Sequence, residues 1–88
     1  MTTVEKDIAL QEIKDVQQDI ETWENAWAKA DKAGESTKAI DEIINHQIAR
    51  RNGMLTVLNA LGVKIDRKDY RVNGLHGEME VHTVWYLA

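Results

Sequence analysis

The 88-residue chain has no cysteine, no proline and no phenylalanine, and its only serine is Ser36. Each absence closes a class of function. Without cysteine there is no disulfide scaffold, no Cys-based zinc finger and no thiol catalysis. Without proline, few rigid turns and long uninterrupted elements are expected. No apolar run approaches the ~18 residues of a membrane span, and the opening Met1–Asp7 lacks the basic and apolar regions of a signal peptide. The expectation is a cytoplasmic protein without membrane contact. Catalytic signals are also missing. There is no Gly-rich phosphate loop and no Ser-His-Asp pattern, Ser36 is placed to cap a helix, and the acids are not paired for general acid–base work. The chain is therefore read as not an enzyme and as needing no cofactor.

What is present is a hydrophobic content of 43%, three tryptophans and two tyrosines, enough to argue against disorder. The length suits one domain spanning residues 1–88, with a thin stability margin that favours oligomerisation. The first segment, about residues 3–33, opens with Thr2 and Glu5 in capping-box spacing. Ile13, Val16, Ile20, Trp23, Trp27 and Ala30 then recur at alternating three- and four-residue steps. That is a 3.5-residue coiled-coil seam. Gly34 stands where the helix should end. Such a helix would be ~46 Å long, more than so small a domain requires. A second helix over about 37–61 is capped by Ser36 or Thr37 and stopped by Gly62. Its stripe of Ile40, Ile44, Ile48, Leu55 and Leu58 keeps phase through Asn52-Gly53, where a kink is the main risk.

From about 63 to 87 the pattern changes to a β unit of two or three strands. Tyr70-Arg71-Val72 and Met79–Leu87 read as strands, with Asn73-Gly74 and Gly77 reversing the chain. In the last strand Met79, Val81, Thr83, Trp85 and Leu87 share the face that should meet the helices. The fold class is thus α+β: a long antiparallel two-helix hairpin carrying a small C-terminal antiparallel β unit. A short loop makes the helices antiparallel neighbours, with facing residue numbers summing to ~70. This register sets Arg50 and Arg51 opposite Asp19 and Glu21, where they would neutralise an acidic strip.

Charge is uneven. Residues 1–49 hold 5 basic and 11 acidic residues, and residues 50–88 hold 6 basic and 4 acidic. Within the second half Arg50, Arg51, Lys64, Arg67, Lys68 and Arg71 form a basic cluster suited to phosphates. The helix, helix, hairpin order is also loosely similar to a winged DNA reader. Against this, the second helix lacks a short recognition-helix format and most of the chain repels phosphate. The pattern His76, Glu78, Glu80, His82 places metal-ligand types on one strand face. Four alternate residues span ~20 Å, so it is read as a solvated face and no metal is expected. Trp23 and Trp27, four apart, are either core or contact anchors. With Asp15, Asp19 and Glu21 they make up the candidate protein-contact residues.

In general style the compact acidic form resembles small accessory proteins carried by bacteriophages and mobile elements. That resemblance implies binding to a host or viral macromolecule. The leading expectation is a non-enzymatic protein–protein interaction module acting as a homodimer. The alternatives are a small nucleic-acid-binding regulator using the basic 50–71 cluster, and an acidic inhibitor of a nucleic-acid-handling protein.

Overall fold

Two helices are followed by a two-stranded antiparallel sheet in a computed structural model that describes residues 2–73 and 79–88. Helix α1 runs Thr3–Lys32 and α2 runs Lys38–Ala60; strand β1 is Ile65–Asn73 and β2 is Met79–Leu87. The expected α+β hairpin with a C-terminal β unit is therefore the fold, and the β unit has two strands among the described residues.

The helix ends follow from local chemistry. Thr2 and Glu5 close a capping box. The Glu5 amide donates to Thr2 Oγ1 at 3.2 Å, and the Thr2 amide donates to Glu5 Oε1 at 3.3 Å. Both C-termini end in the same left-handed glycine turn, at Gly34 with φ 73° and Gly62 with φ 82°. After α1, Glu35 donates to the Ala30 carbonyl at 2.9 Å; after α2, Val63 donates to the Leu58 carbonyl at 2.9 Å. Of the two cap candidates at the start of α2, Ser36 accepts from the Lys38 amide through its Oγ at 3.5 Å. Thr37 is the N-cap residue, but its hydroxyl bonds Asp41 at 3.3 Å instead of a helix amide. The helix also passes through Asn52-Gly53 without interruption, so no kink ends it there.

Strand β1 begins five residues before Tyr70, because the alternation in Ile65-Asp66-Arg67-Lys68-Asp69 places Ile65 on the core while its charged neighbours stay in solvent. Ile65 pairs with Leu87, Arg67 with Trp85 and Tyr70 with His82. The reversal read at Gly74 and Gly77 lies outside the described residues, as do His76 and Glu78.

Helix α1 packs on both α2 and β2, and α2 meets β1. The buried cluster that joins the layers is Ile13 from α1, Leu58 from α2, Val63 from the connection and Trp85 from β2, with Ile13 wholly buried and Trp85 5% exposed, and Val16, Ile20 and Ala30 of α1 are buried as well. Ile13 facing Leu58 agrees with the expected register. Val63 and Leu58 are also the two residues that the turn at Gly62 brings together, so that turn supplies two of the four side chains of this cluster. Of the three tryptophans only Trp85 joins this cluster. Trp23 and Trp27 lie outside it and are half-buried, Trp27 beside Asp41 and Ile44 of α2.

Gly53 lies in a helix without a positive φ, and a Cβ there would meet nothing within 4 Å. Gly53→Ala should therefore raise stability by about 0.5–1 kcal/mol, read by urea unfolding at low micromolar concentration. The Glu5 carboxyl is held below its ordinary range, first by the hydrogen bond to the Thr2 side chain and then by that to the Thr2 backbone. The cap is thus complete at neutral pH and is lost as pH falls through that lowered value. An NMR pH titration should show the amides of residues 3–6 reporting this transition at a lower pH in the wild type than in Thr2→Val.

Candidate functional site

The polar feature that ties the layers together is Gln17, a side chain only 8% exposed on the sheet-facing side of α1. Its Oε1 accepts from Arg51 Nη1 of α2 at 2.8 Å and from Trp85 Nε1 of β2 at 3.2 Å. Arginine and indole N–H groups can only donate, so they fix which end of the amide faces inward, and two donors fill the carbonyl's two lone pairs. The amide nitrogen points the other way, 3.5 Å from Glu21 Oε1. Arg51 also lies over the Trp85 ring, its guanidinium carbon 5.3 Å from the centroid, and Arg67 does so at 5.9 Å. Burial lowers the Arg51 pKa, the neighbouring Arg67 charge adds to that, and Glu24 opposes both. Arg51 Nε is buried without a partner.

This arrangement corrects the charge pairing expected from register. Neither Arg50 nor Arg51 pairs with Asp19 or Glu21. Asp19 is exposed, and Asp15 is exposed with Gln11 Nε2 donating to it at 2.9 Å. Glu21 is half-buried beside Val81 and His82. Trp27 lines a recess with Glu24, Asp41 and Ile44, and its indole N–H is buried without a partner. Of the candidate contact residues, then, Asp15 and Asp19 face solvent, while Glu21, Trp23 and Trp27 are half-buried.

The basic cluster is divided as well. Arg51 and Arg67 converge on Trp85, Arg50 lines a helix groove beside Glu12, and Lys68 sits 5.4 Å from the Tyr70 ring. Lys64 and Arg71 are exposed elsewhere on β1 and its approach. Among the described residues no three His, Cys, Asp or Glu side chains are grouped to hold a metal ion, and no helix is long and apolar enough to cross a membrane.

Two surface features were not read from the sequence. One is an apolar groove of about 420 Å³ between α1 and α2, lined by Ala9, Met54, Val57 and Leu58, with Gly53 at its floor. Val57 and Leu61, each 60% exposed, and Ile8, 56% exposed, surround that end of the hairpin. The other is a furrow along β2. It comprises a recess lined by Glu21, Glu24, Asn25, Val81 and His82 and a second recess lined by Lys14, Gln18, Thr83 and Trp85, with Glu21 shared between them. Sequence signals existed for part of this. Gln17 interrupts an otherwise apolar side of α1 between Ile13 and Ile20, and Asn52-Gly53 leaves α2 without a side chain where one would be expected.

Gln17→Leu keeps the bulk and removes the acceptor, leaving two inward donors unmet. It should destabilise by about 1–3 kcal/mol, whereas Asp19→Ala should stay within about 0.5 kcal/mol. Gln17→Glu retains the acceptor and should recover most of the loss. Urea unfolding followed by tryptophan fluorescence measures all three. Compared with protein-family models, curated proteins and solved structures, the chain matches none.

Proposed function

We propose that this chain is a non-enzymatic protein-interaction module that works as a homodimer through the apolar groove between its helices. The observation that carries the reading is surface in excess of what the chain requires. A compact 10.0 kDa protein exposes ~5200 Å², and this one exposes 6613 Å². Its radius of gyration is 15.3 Å, against ~12 Å for a compact chain of this length. The excess, ~1400 Å², exceeds the ~800 Å² each partner gives to an interface of standard size.

The groove supplies the chemistry. Val57 lines it and is 60% exposed, Ile8 and Leu61 are exposed next in sequence to or one turn from its lining residues Ala9 and Val57, and a two-fold axis would let these apolar side chains of each copy meet the groove of the other. Gly53, which costs helix stability and fills no space within the chain, permits that close approach. Small size, acidity and a self-associating surface suit an accessory protein of a bacteriophage or mobile element. The division of the basic cluster counts against a nucleic-acid regulator, since two of its six cations are engaged at Trp85.

Sedimentation velocity across a concentration series tests the proposal. The wild type should approach twice 10.0 kDa. Gly53→Gln, which blocks the groove with a good helix former, should remain a monomer with thermal stability at or above that of the wild-type monomer. A wild-type monomer at ~100 μM, weaker than any standard interface, would overturn the reading.

A further inference from the structure

The sheet is narrower than the helix layer it covers. Two packed helices lie ~8–10 Å apart and so present a face of roughly 20 Å, whereas two strands ~4.8 Å apart cover about half of it. Helix α1 lies on the β2 side of the sheet and α2 on the β1 side, so the furrow between α1 and β2 runs along the free edge of β2.

The phase of the ladder shows what that edge offers. The Ala88 amide donates to the Lys64 carbonyl at 3.0 Å, one rung beyond the Ile65–Leu87 pair. Bonded and non-bonded pairs alternate in an antiparallel ladder. The pairs Asp66–Tyr86, Lys68–Val84 and Tyr70–His82 therefore exchange bonds across the sheet. The N–H and C=O groups of Val81, Thr83 and Trp85 turn to the free edge, where no described segment pairs with them.

The two edges are treated differently by composition. Strand β1 carries Asp66, Arg67, Lys68, Asp69 and Arg71, the kind of charge that blunts an edge against pairing. Strand β2 carries only Glu80 among Asp, Glu, Lys and Arg, and is otherwise built of residues such as Val81, Thr83, Val84, Trp85 and Tyr86. Val81 is on the helix-facing side of the sheet, yet it is 59% exposed. A third strand in the furrow would cover it.

A second copy does not suit this edge. Two-fold antiparallel pairing puts both helix layers on one face of the joined sheet, and α1, which flanks the edge, would collide with its twin. The furrow wall gives the occupant's chemistry instead. Glu21 and Glu24 face the end beside Val81, and on the opposite face Val84 and Tyr86 stand exposed. We propose that the furrow between α1 and the free edge of β2 takes an extended peptide segment of a partner protein as a third strand, with basic side chains toward Glu21 and Glu24 and β-branched ones beside Val84 and Tyr86. This is strand addition, in which the backbone gives affinity and alternate side chains give specificity. The site is separate from the helix groove and does not depend on self-association.

The test is an NMR titration of the full chain with a short synthetic peptide alternating lysine and valine, compared with one alternating glutamate and valine. The lysine peptide should shift the amides of Val81, Thr83 and Trp85 and bind at least tenfold tighter than the glutamate peptide. Val81→Pro removes one outward N–H and no ladder bond, and should weaken binding at least tenfold, as should Glu21→Lys combined with Glu24→Lys. A lysine peptide N-methylated at every backbone amide keeps its charge, has no N–H to donate to the edge, and should lose binding whether or not Val81→Pro folds. Gly53→Gln should bind as the wild type does. No binding, equal binding of the N-methylated peptide, or shifts confined to the outer face of α1 would overturn the proposal, while loss of binding in Gly53→Gln would assign the peptide to the helix groove and overturn it too.

Discussion

One carbonyl oxygen, Gln17 Oε1, is shared by three elements that are otherwise held by side-chain packing. It sits on α1 and accepts one hydrogen bond from Arg51 on α2 and another from Trp85 on β2. Packing of Ile13, Leu58 and Val63 around Trp85 is non-directional and would tolerate small slides of one element on another. The two hydrogen bonds would not, because their geometry weakens steeply with misalignment. The charge placed there has a second effect. Arg51 has few ways to be satisfied away from Gln17 and the Trp85 ring, so the helix register and the position of the sheet are set by the same residue.

With both arginines nearest the sheet held at Trp85, the acidic side of α1 is left to solvent along Asp15 and Asp19. The two strands then cover only the part of the helix layer around Trp85. The groove near Gly53 and the furrow beside β2 are the two places where this incomplete coverage reaches the surface.

Features that depend on neighbours in the chain were legible in the sequence. The Thr2–Glu5 cap, the glycine stops at Gly34 and Gly62, and the two helices between them follow from local steric and hydrogen-bonding rules. The inward face of β2 at Trp85 and Leu87 follows from simple alternation. Features that depend on distant partners were not. Gln17 meets residues 34 and 68 positions away, and nothing in its own surroundings names them. The helix register was right, yet it could not tell whether Arg51 would choose a carboxylate or an amide one turn earlier. The charged start of β1 was missed because a two-stranded ribbon lets alternate side chains of Asp66–Asp69 stay wet. The periodic burial that marks most strands is therefore faint there.

The two hairpins are each closed by short connections, and this shapes how the chain reaches its fold. Helix pairing and strand pairing are local events that can proceed separately on fast timescales. The Gln17–Trp85 bond spans 68 residues, and closing a loop of that length opposes assembly by ~4 kcal/mol before any contact offsets it. Docking of the finished β ribbon onto the finished helical hairpin carries that cost, and the turn at Gly62, with Val63 already against Leu58, shortens the search by holding the approach to β1 beside its destination.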